Sequence, residues 1–298
     1  MTTPFMIESF EEYLNTVRNE LPKGRIYFRG QTKLVSDGYS LAPSIGRHDL
    51  FRKLSLRARD EREREVLDVF RNHLVMHVQH LPQTEWEALA IAQHHGLPTR
   101  FMDWTTNPLV ALYFAVRDTK DDDEGHAVDS AVYVLISDPP RFTDFKNAQH
   151  PTIEPVEDLE TKPADGYSNG YEEFGVGSPE SDEDDEQLEE APDADDVDEE
   201  PVNQQLPSPF EITRNVIYHP PHISPRMRAQ DSVLLACYRP FDALEDRDWL
   251  EIVVRHKAHD EIRQQLDEYG VFDRQLFPSL DGIAKWLRYR VFESGRSL

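Results

Sequence analysis

A long acidic tract in the second half of the chain sets the strongest limit on its fold. Residues 154–200 contain twenty-one acidic side chains and a single basic one. Pro, Gly and Ser are frequent in the flanking sequence, and such a composition buries too little apolar surface to offset the entropy lost on ordering. We therefore predict a disordered insertion over residues 139–209. It would interrupt one domain, formed by residues 25–138 and 210–298, that follows an N-terminal helix within residues 1–24.

The charge of the chain is concentrated in this tract. Of the formal net charge of −25, −20 lies within residues 154–200, so that only about −5 remains for the rest. A folded part of such ordinary charge does not favour duplex nucleic acid, whose phosphates attract basic surfaces. The tract itself is interpreted either as a solvated spacer between two strands or as a polyanion that binds a basic partner.

Length and composition predict a soluble protein with a sizeable core. The chain has 298 residues, 38% of them apolar. It contains no run of eighteen apolar residues, so no membrane span is predicted. Its N-terminal sequence lacks the basic and apolar regions of a secretory signal. Cys237 is the single cysteine, so no intrachain disulfide can form, and its apolar neighbours predict an inert core thiol. These features lead us to expect a cytoplasmic location.

Hydrophobic periodicity predicts an α+β domain with a mixed sheet flanked by helices. Strands and helices follow one another without a regular βαβ rhythm, and neither a Gly-rich dinucleotide fingerprint nor a P-loop is present. Helices are predicted over residues 10–20, 59–80, 85–95, 109–116, 259–269 and 280–292. Strands are predicted over residues 25–31 and 130–136 and near residues 217–221, 232–238 and 250–256, with an extended or turn segment at 97–104.

Three separated polar groups in this pattern suggest a binding site. Arg29 is followed by Gly30, which allows a backbone or a ligand to approach closely beside a bidentate donor. Thr105 and Thr106 precede a nearly continuous apolar helix, and Gln230 precedes a strand. Each has a structural alternative: a surface arginine on an edge strand, a helix N-cap at Thr106 and a polar strand start. Brought together, they would line a pocket for a ligand that carries phosphate and ribose.

Metal and nucleophile sites have less support in the sequence. His73, His77 and His80 share one face of a predicted helix, but no HExxH motif and no cluster of Cys or Asp completes a zinc set. No GxSxG elbow surrounds a serine, and Cys237 lacks a recognisable partner. No metal is therefore predicted.

Five sequence blocks resemble those of a known family. They are YFRGQ, a PS-x-x-R segment at residues 43–47, AQHHGLPTRFMDWTTNPLVALYFAV, RMRAQDSVLL and LFPSLDGIAKWL. Together they closely match the FRG domain family and extend from residue 25 to residue 287. The resemblance implies a bacterial toxin or a phage-defence effector, without defining an activity.

The order of the three polar groups also resembles the R-S-E layout of the ADP-ribosyltransferases. This second resemblance implies a split sheet and NAD as the substrate, without a metal. Arg29 would anchor the phosphate and ribose of NAD, and Thr105 or Thr106 would supply the hydroxyl of the nicotinamide-ribose pocket. Gln230 would occupy the last position of the layout, that of the glutamate. The products would be ADP-ribose on a macromolecular acceptor, protein or nucleic acid, or hydrolysed NAD.

Gln230 departs from that layout, because an amide can neither act as a base nor offer a full negative charge. Asp103 or Asp231 could compensate. His95 and Arg100 are expected either to line the pocket or to brace its loop. The alternative is a non-catalytic module that binds a nucleotide, nucleic acid or protein in the same cleft. The resemblance implies a ligand-binding role for Tyr27, Gly30, Gln31, Asp103, Trp104 and Thr105.

Overall fold

The computed structural model describes seven stretches of the chain. They are residues 3–24, 26–78, 81–118, 127–136, 143–144, 207–220 and 224–296. The predicted disordered insertion and its acidic tract therefore lie almost wholly outside the described residues, as does His80. The described residues belong to one α+β unit, as the irregular mixture of elements predicts.

One mixed sheet organises this unit. Its strands are β1 (Phe5–Ile7), β2 (Ile26–Gln31), β3 (Phe101–Thr105), β4 (Ser130–Ile136), β5 (Thr143–Asp144), β6 (Val216–Tyr218), β7 (Ser232–Ala236) and β8 (Trp249–Val254). They lie in the order β1-β8-β4-β2-β3-β7-β6-β5. The two outermost pairs, β1 with β8 and β5 with β6, are parallel, and the inner pairs are antiparallel.

Helices cover the sheet and its ends. They are α1 (Phe10–Asn19), α2 (Asp49–Arg52), α3 (Leu56–Leu74), α4 (Glu85–His94), α5 (Pro108–Val116), α6 (Pro225–Ala229), α7 (His259–Glu268), α8 (Asp273–Leu276) and α9 (Leu280–Leu287). A π-helical segment, Arg288–Glu293, continues α9. Within the described part of the chain, no helix combines the length and the apolar character that are needed to cross a bilayer.

Local sequence signals explain where several helices begin and end. The Ser9 hydroxyl accepts from the third residue of α1, and the Asn107 side chain accepts from the backbone at the start of α5, with Pro108 in the first turn. Gly96 follows α4 with φ +85°, a left-handed conformation that glycine adopts without strain. The predicted helices over residues 10–20 and 85–95 are confirmed as α1 and α4.

The core lies on both faces of the sheet. On one face, α1, α5 and α7 pack against β2, β4 and β8, and their buried residues include Phe10, Phe28, Leu112 and Ile262. The opposite face is covered by a second cluster around Met102. The apolar sequence of α5 is explained by this position, since most of its residues are buried.

Three predicted boundaries differ from the structure. Residues 1–24 contain β1 as well as α1, and β1 pairs with β8, near the other end of the chain. Residues 97–104, expected to be extended or a turn, contain most of β3. Residues 143–144 and 207–209 fall inside the range assigned to the insertion, but the first pair forms β5, and the second group accepts hydrogen bonds from the sheet domain.

Candidate functional site

The sheet is split between β2 and β3. These strands pair at a single position, Phe28 opposite Thr105, whereas β2 pairs with β4 over six positions. A cavity of about 230 Å³ opens at the split, with α4, α5 and α6 forming its other walls. Because the edge of β2 borders the gap, successive residues from Phe28 to Gln31 line it. β2 and β3 therefore diverge on one side of this pair while both remain in the same mixed sheet.

Arg29 crosses the split. Its Nη1 donates a hydrogen bond to the backbone carbonyl of Asp103 on β3, and its Nε donates to the Tyr39 hydroxyl at 3.2 Å. The side chain is only 15% exposed and lies 4.0 Å from the Asp103 carboxylate. Burial alone would lower the pKa of Arg29, but Tyr39 and Asp103 outweigh it and raise that pKa. The guanidinium is therefore a fixed cation at the cavity wall.

The segment at residues 43–47 supports Arg29 from behind. Arg47 donates to the Tyr39 hydroxyl at 3.4 Å and to the Ala42 carbonyl at 3.1 Å, and its guanidinium lies over the Tyr39 ring. Two arginines thus share one tyrosine hydroxyl, and only Arg29 lines the cavity. The PS-x-x-R block therefore contributes to the site indirectly, by orienting a residue that touches Arg29.

Asp103 is held in place from α4. Its Oδ2 accepts a hydrogen bond from the Gln93 amide at 2.9 Å, and the Gln93 carbonyl oxygen accepts from the Thr99 hydroxyl at 2.8 Å. The Asp103 side chain is 62% exposed. A carboxylate fixed by an amide and a guanidinium at the edge of a cavity can accept a hydrogen bond from a ligand hydroxyl, or stabilise a positive charge nearby.

Thr105 connects β3 to Gln230. The Thr105 hydroxyl donates to the Gln230 carbonyl at 2.7 Å and accepts from the Asn107 backbone at 3.0 Å. Gln230 ends α6 instead of starting a strand, and its side-chain amide donates to the Leu276 carbonyl at 3.0 Å. Both side chains line the cavity, as the sequence predicts, but the hydroxyl of Thr105 is already engaged in fixing the backbone around it.

Trp104 carries a buried indole N–H without a partner among the described residues. The residue is 2% exposed and lines the cavity. A buried indole N–H usually finds an acceptor, since leaving it unpaired costs free energy. Of the predicted ligand-binding residues, Gly30, Gln31, Asp103, Trp104 and Thr105 all line this cavity.

Tyr27 and Thr106 do not line the cavity. Tyr27 is 3% exposed and packs in the core cluster on the sheet's second face, so the ligand-binding role implied for it has no support in this arrangement. Thr106 is exposed, and its backbone N–H donates to the Asp231 carbonyl. Nor does Thr106 cap α5, because the neighbouring Asn107 does so. The placement of Thr106 in the catalytic set is therefore corrected, and Thr105 is the hydroxyl at the cavity.

Gly30 has a packing role, since the close backbone approach that the sequence allows for is made by α5. A Cβ built on Gly30 would lie 1.8 Å from the carbonyl oxygen of Ala111 in α5. The glycine of YFRGQ thus lets a helix backbone approach the strand. Gly30 also borders the cavity, so the two roles coexist.

Arg100 braces the domain and does not belong to the cavity. It is 1% exposed and makes hydrogen bonds to the carboxylates of Glu63 and Asp60 and to the Pro209 carbonyl. His95 is exposed and is also absent from the cavity lining. Arg100 therefore takes the bracing role expected for at least one of these two residues.

Two charged residues of the cavity were missed by the sequence interpretation. Arg226 on α6 and His94 at the end of α4 both line it. Desolvation lowers the pKa of Arg226, opposed by Asp103 and reinforced by Arg117. Desolvation, with Arg226 and His95, also lowers the pKa of His94, against the effect of Asp103. The signal for Arg226 was its place one helical turn before Gln230, in an RMR sequence within an acidic chain.

No metal site is evident in the described stretches, where no three His, Cys, Asp or Glu side chains lie together so as to hold an ion. His73 and His77 of the helical histidine group are both exposed.

Comparison with known proteins supports the family. The model of the FRG domain matches residues 24–124, the stretch from just before β2 to just after α5. Residues 24–124, about a third of the chain, are therefore similar to the FRG domain. The match includes Arg29, Gly30 and Asp103, and it ends before α6 and Gln230, so one wall of the cavity lies beyond the matched part of the FRG domain. No curated protein and no solved structure matches this chain.

Proposed function

We propose that this FRG domain protein binds NAD in the cavity at the split and acts as an ADP-ribosyltransferase or NAD glycohydrolase. The observation that carries the proposal is the convergence of Arg29, Thr105 and Gln230 on one cavity. They stand on β2, on its neighbour β3 and directly before β7, the next strand of the sheet. This is the succession that the resemblance to ADP-ribosyltransferases implies for an arginine, a hydroxyl and the last group of the layout.

The residues present are suited to part of a dinucleotide. A volume of about 230 Å³ is below the usual range of 300–1,000 Å³ for ligand pockets, so that one end of the ligand would enter it. Arg29 is positioned for a phosphate or ribose oxygen, and Asp103 for a hydroxyl.

In this reaction the protein would mainly position NAD and stabilise the charge that develops on it. The bond between nicotinamide nitrogen and ribose C1′ breaks, nicotinamide leaves with the electron pair, and positive charge develops on the ribose. Water or a nucleophile of the acceptor then bonds to C1′ and loses a proton. Asp103 would stabilise that charge, whereas Gln230 offers only the dipole of its amide, because its nitrogen is directed to Leu276.

A second function has its own support. Thr105 and Gln230 both use polar atoms to hold the protein's backbone, as expected of a module that binds a nucleotide, nucleic acid or protein without consuming NAD. In either case, the resemblance points to a bacterial toxin or phage-defence effector in the cytoplasm. The acceptor would be a macromolecule, and a basic partner would bind the acidic tract.

NAD turnover with matched variants tests the proposal. Purified protein is incubated with NAD labelled in the adenylate part, alone and with cell lysate, and nicotinamide release and label transfer are followed. Arg29→Ala is expected to abolish both. Arg228→Ala is the control, because Arg228 lines a neighbouring cavity instead of this one.

The outcomes separate the two functions. Turnover that Arg29→Ala abolishes and Arg228→Ala retains supports the enzyme, and the labelled product identifies the acceptor. Binding of NAD by the wild type without any turnover supports the binding module. If the wild type neither binds nor consumes NAD, the proposed enzyme is wrong, and a binding module would have to recognise a different ligand.

A further inference from the structure

Arg226 is a cation of the cavity that lies outside the part of the chain matched by the FRG domain model. It lies on α6, beyond residues 24–124, and lines the cavity together with Arg29 of β2. The two guanidiniums therefore reach one cavity from different walls. Arg226 begins the RMRAQDSVLL block, but the resemblance implies a role in that block only for Gln230, so a role for Arg226 does not follow from it.

The Arg226 guanidinium packs against the aromatic ring of Phe277 and does not pair with a carboxylate among the described residues. It lies 4.8 Å from the centre of the Phe277 ring, and the Arg117 guanidinium lies at the same distance from that ring. Arg117 pairs with Asp118 at 3.0 Å. Within the described stretches, Arg226 makes no ion pair or side-chain hydrogen bond. Stacking holds a guanidinium plane and leaves its N–H donors available.

The cavity as a whole carries more positive than negative charge. The guanidiniums of Arg29 and Arg226 line it, against the one carboxylate among its described lining residues, that of Asp103. That carboxylate is already engaged by Gln93 and by Arg29. Such a cluster in a chain of net charge −25 favours an anionic ligand. Guanidinium forks match phosphate oxygens in geometry as well as in charge.

We propose that Arg226 binds a phosphate of the cavity's ligand, so that Arg29 and Arg226 hold a diphosphate group between them. The proposal deepens the function proposed above and rests on it for the identity of the ligand as NAD. It does not rest on it for the chemistry, because any compound with two linked phosphates would be recognised in the same way.

Calorimetry with three probes and a matched pair of variants tests this role. The probes are ADP-ribose, inorganic pyrophosphate and nicotinamide riboside, which has no phosphate. Arg226→Gln is compared with Arg228→Gln, a variant of an arginine on the same helix that lines a neighbouring cavity. Arg226→Gln is expected to weaken the binding of ADP-ribose and of pyrophosphate about tenfold to a hundredfold. This is the range for the loss of a hydrogen bond to a charged group. Arg228→Gln is expected to leave both unchanged.

The riboside separates phosphate binding from general damage to the cavity. Its affinity is expected to be the same in the wild type and in Arg226→Gln. If Arg226→Gln does not fold, Arg226→Lys replaces it. The lysine variant keeps the charge and an aliphatic stem over Phe277, and the loss of the planar fork is expected to weaken pyrophosphate binding.

Failure of this proposal can be distinguished from failure of the proposed function. Pyrophosphate binding that depends on Arg226, in a protein that does not bind NAD, supports the diphosphate site and rejects NAD as the ligand. If the protein turns over NAD and substitutions of Arg226 leave its affinity for NAD unchanged, the diphosphate site is rejected and the proposed enzyme is retained. A wild-type protein that binds neither pyrophosphate nor ADP-ribose overturns the role of Arg226.

Discussion

The glycine of YFRGQ allows the packing and ligand-binding roles of the motif to be compared. In Gly30→Ala, the new methyl group would lie 1.8 Å from the Ala111 carbonyl oxygen and 2.7 Å from the Ala115 backbone nitrogen. Both contacts are with the backbone of α5, so no side chain can rotate to relieve them. We therefore expect α5 to be displaced from β2 in this variant.

The size of this displacement gives the expected loss in the free energy of unfolding. Restoring an ordinary contact of about 3.4 Å requires a shift of roughly 1.5 Å between α5 and β2, in a core that is packed without large voids. Overpacking typically costs about 1–3 kcal/mol, and a backbone clash belongs at the upper end, so we expect a loss of about 3 kcal/mol. For a domain of this size, that corresponds to a fall in Tm of roughly 6–12 °C.

Gly38→Ala is the matched control for the measurement. Gly38 has φ +84°, and a Cβ there would meet nothing within 4 Å, so alanine costs only the left-handed backbone, about 1–2 kcal/mol. The free energy of unfolding of both variants is measured by urea denaturation with the wild type. A loss in Gly30→Ala no larger than in Gly38→Ala would refute the packing role of Gly30, and a ligand-binding role alone would remain.

Three further measurements follow from the geometry. Glu63→Gln leaves the buried Arg100 guanidinium without its main carboxylate and is expected to cost about 3 kcal/mol in urea denaturation, whereas a loss near zero would contradict the bracing role. Thr105→Val removes two hydrogen bonds and is expected to cost about 2 kcal/mol, against about 0.5 kcal/mol or less for the exposed Thr106→Val, and equal costs would reject this assignment. Burial, Arg226 and His95 lower the pKa of His94, against the effect of Asp103. An anion bound nearby would raise that pKa and so promote protonation of the imidazole. NAD affinity, measured by calorimetry from pH 8 to pH 5.5, should therefore rise as the pH falls, and a slope that survives His94→Gln would assign the effect to another group.

Strong local signals made much of the fold predictable. The apolar run that forms α5, the proline after Asn107 and the glycine after α4 each determine an element or a boundary through local physics. Three-residue β1 carries no such signal, because its strand conformation comes from pairing with β8, far along the chain. The segment containing β3 was read as extended, and its place beside β2 depends on long-range pairing.

The candidate site was predictable where a residue type matched a position in the sheet. Arg29 and Asp103 follow from the motif and from the polar loop, and both line the cavity. Thr105 and Thr106 could not be separated by sequence, since adjacent residues of a strand point to opposite faces and the register was not known. Tyr27 was misassigned for a related reason, because its face is buried by residues from distant segments.

Arg226 could not be assigned from its own neighbourhood. A basic residue on a five-residue helix has many structural explanations, and its position at the cavity depends on Phe277 and on the packing of α6 beside α8. The oriented cation becomes visible only when β2, α4 and α6 are assembled. Residues that complete a site from a separate segment are those that a motif search is least able to find.

Arg29 poses a difficulty for any simple test of the site. Its hydrogen bond to the Asp103 carbonyl joins β2 to β3, which otherwise pair only at Phe28 and Thr105 in the described sheet. Removing Arg29 therefore weakens the connection between the two halves as well as the cation, and lost activity alone cannot distinguish these effects. Arg226 makes no comparable connection among the described residues. Its substitution therefore changes the charge of the cavity while the split is preserved, and it is the more direct test of what the cavity binds.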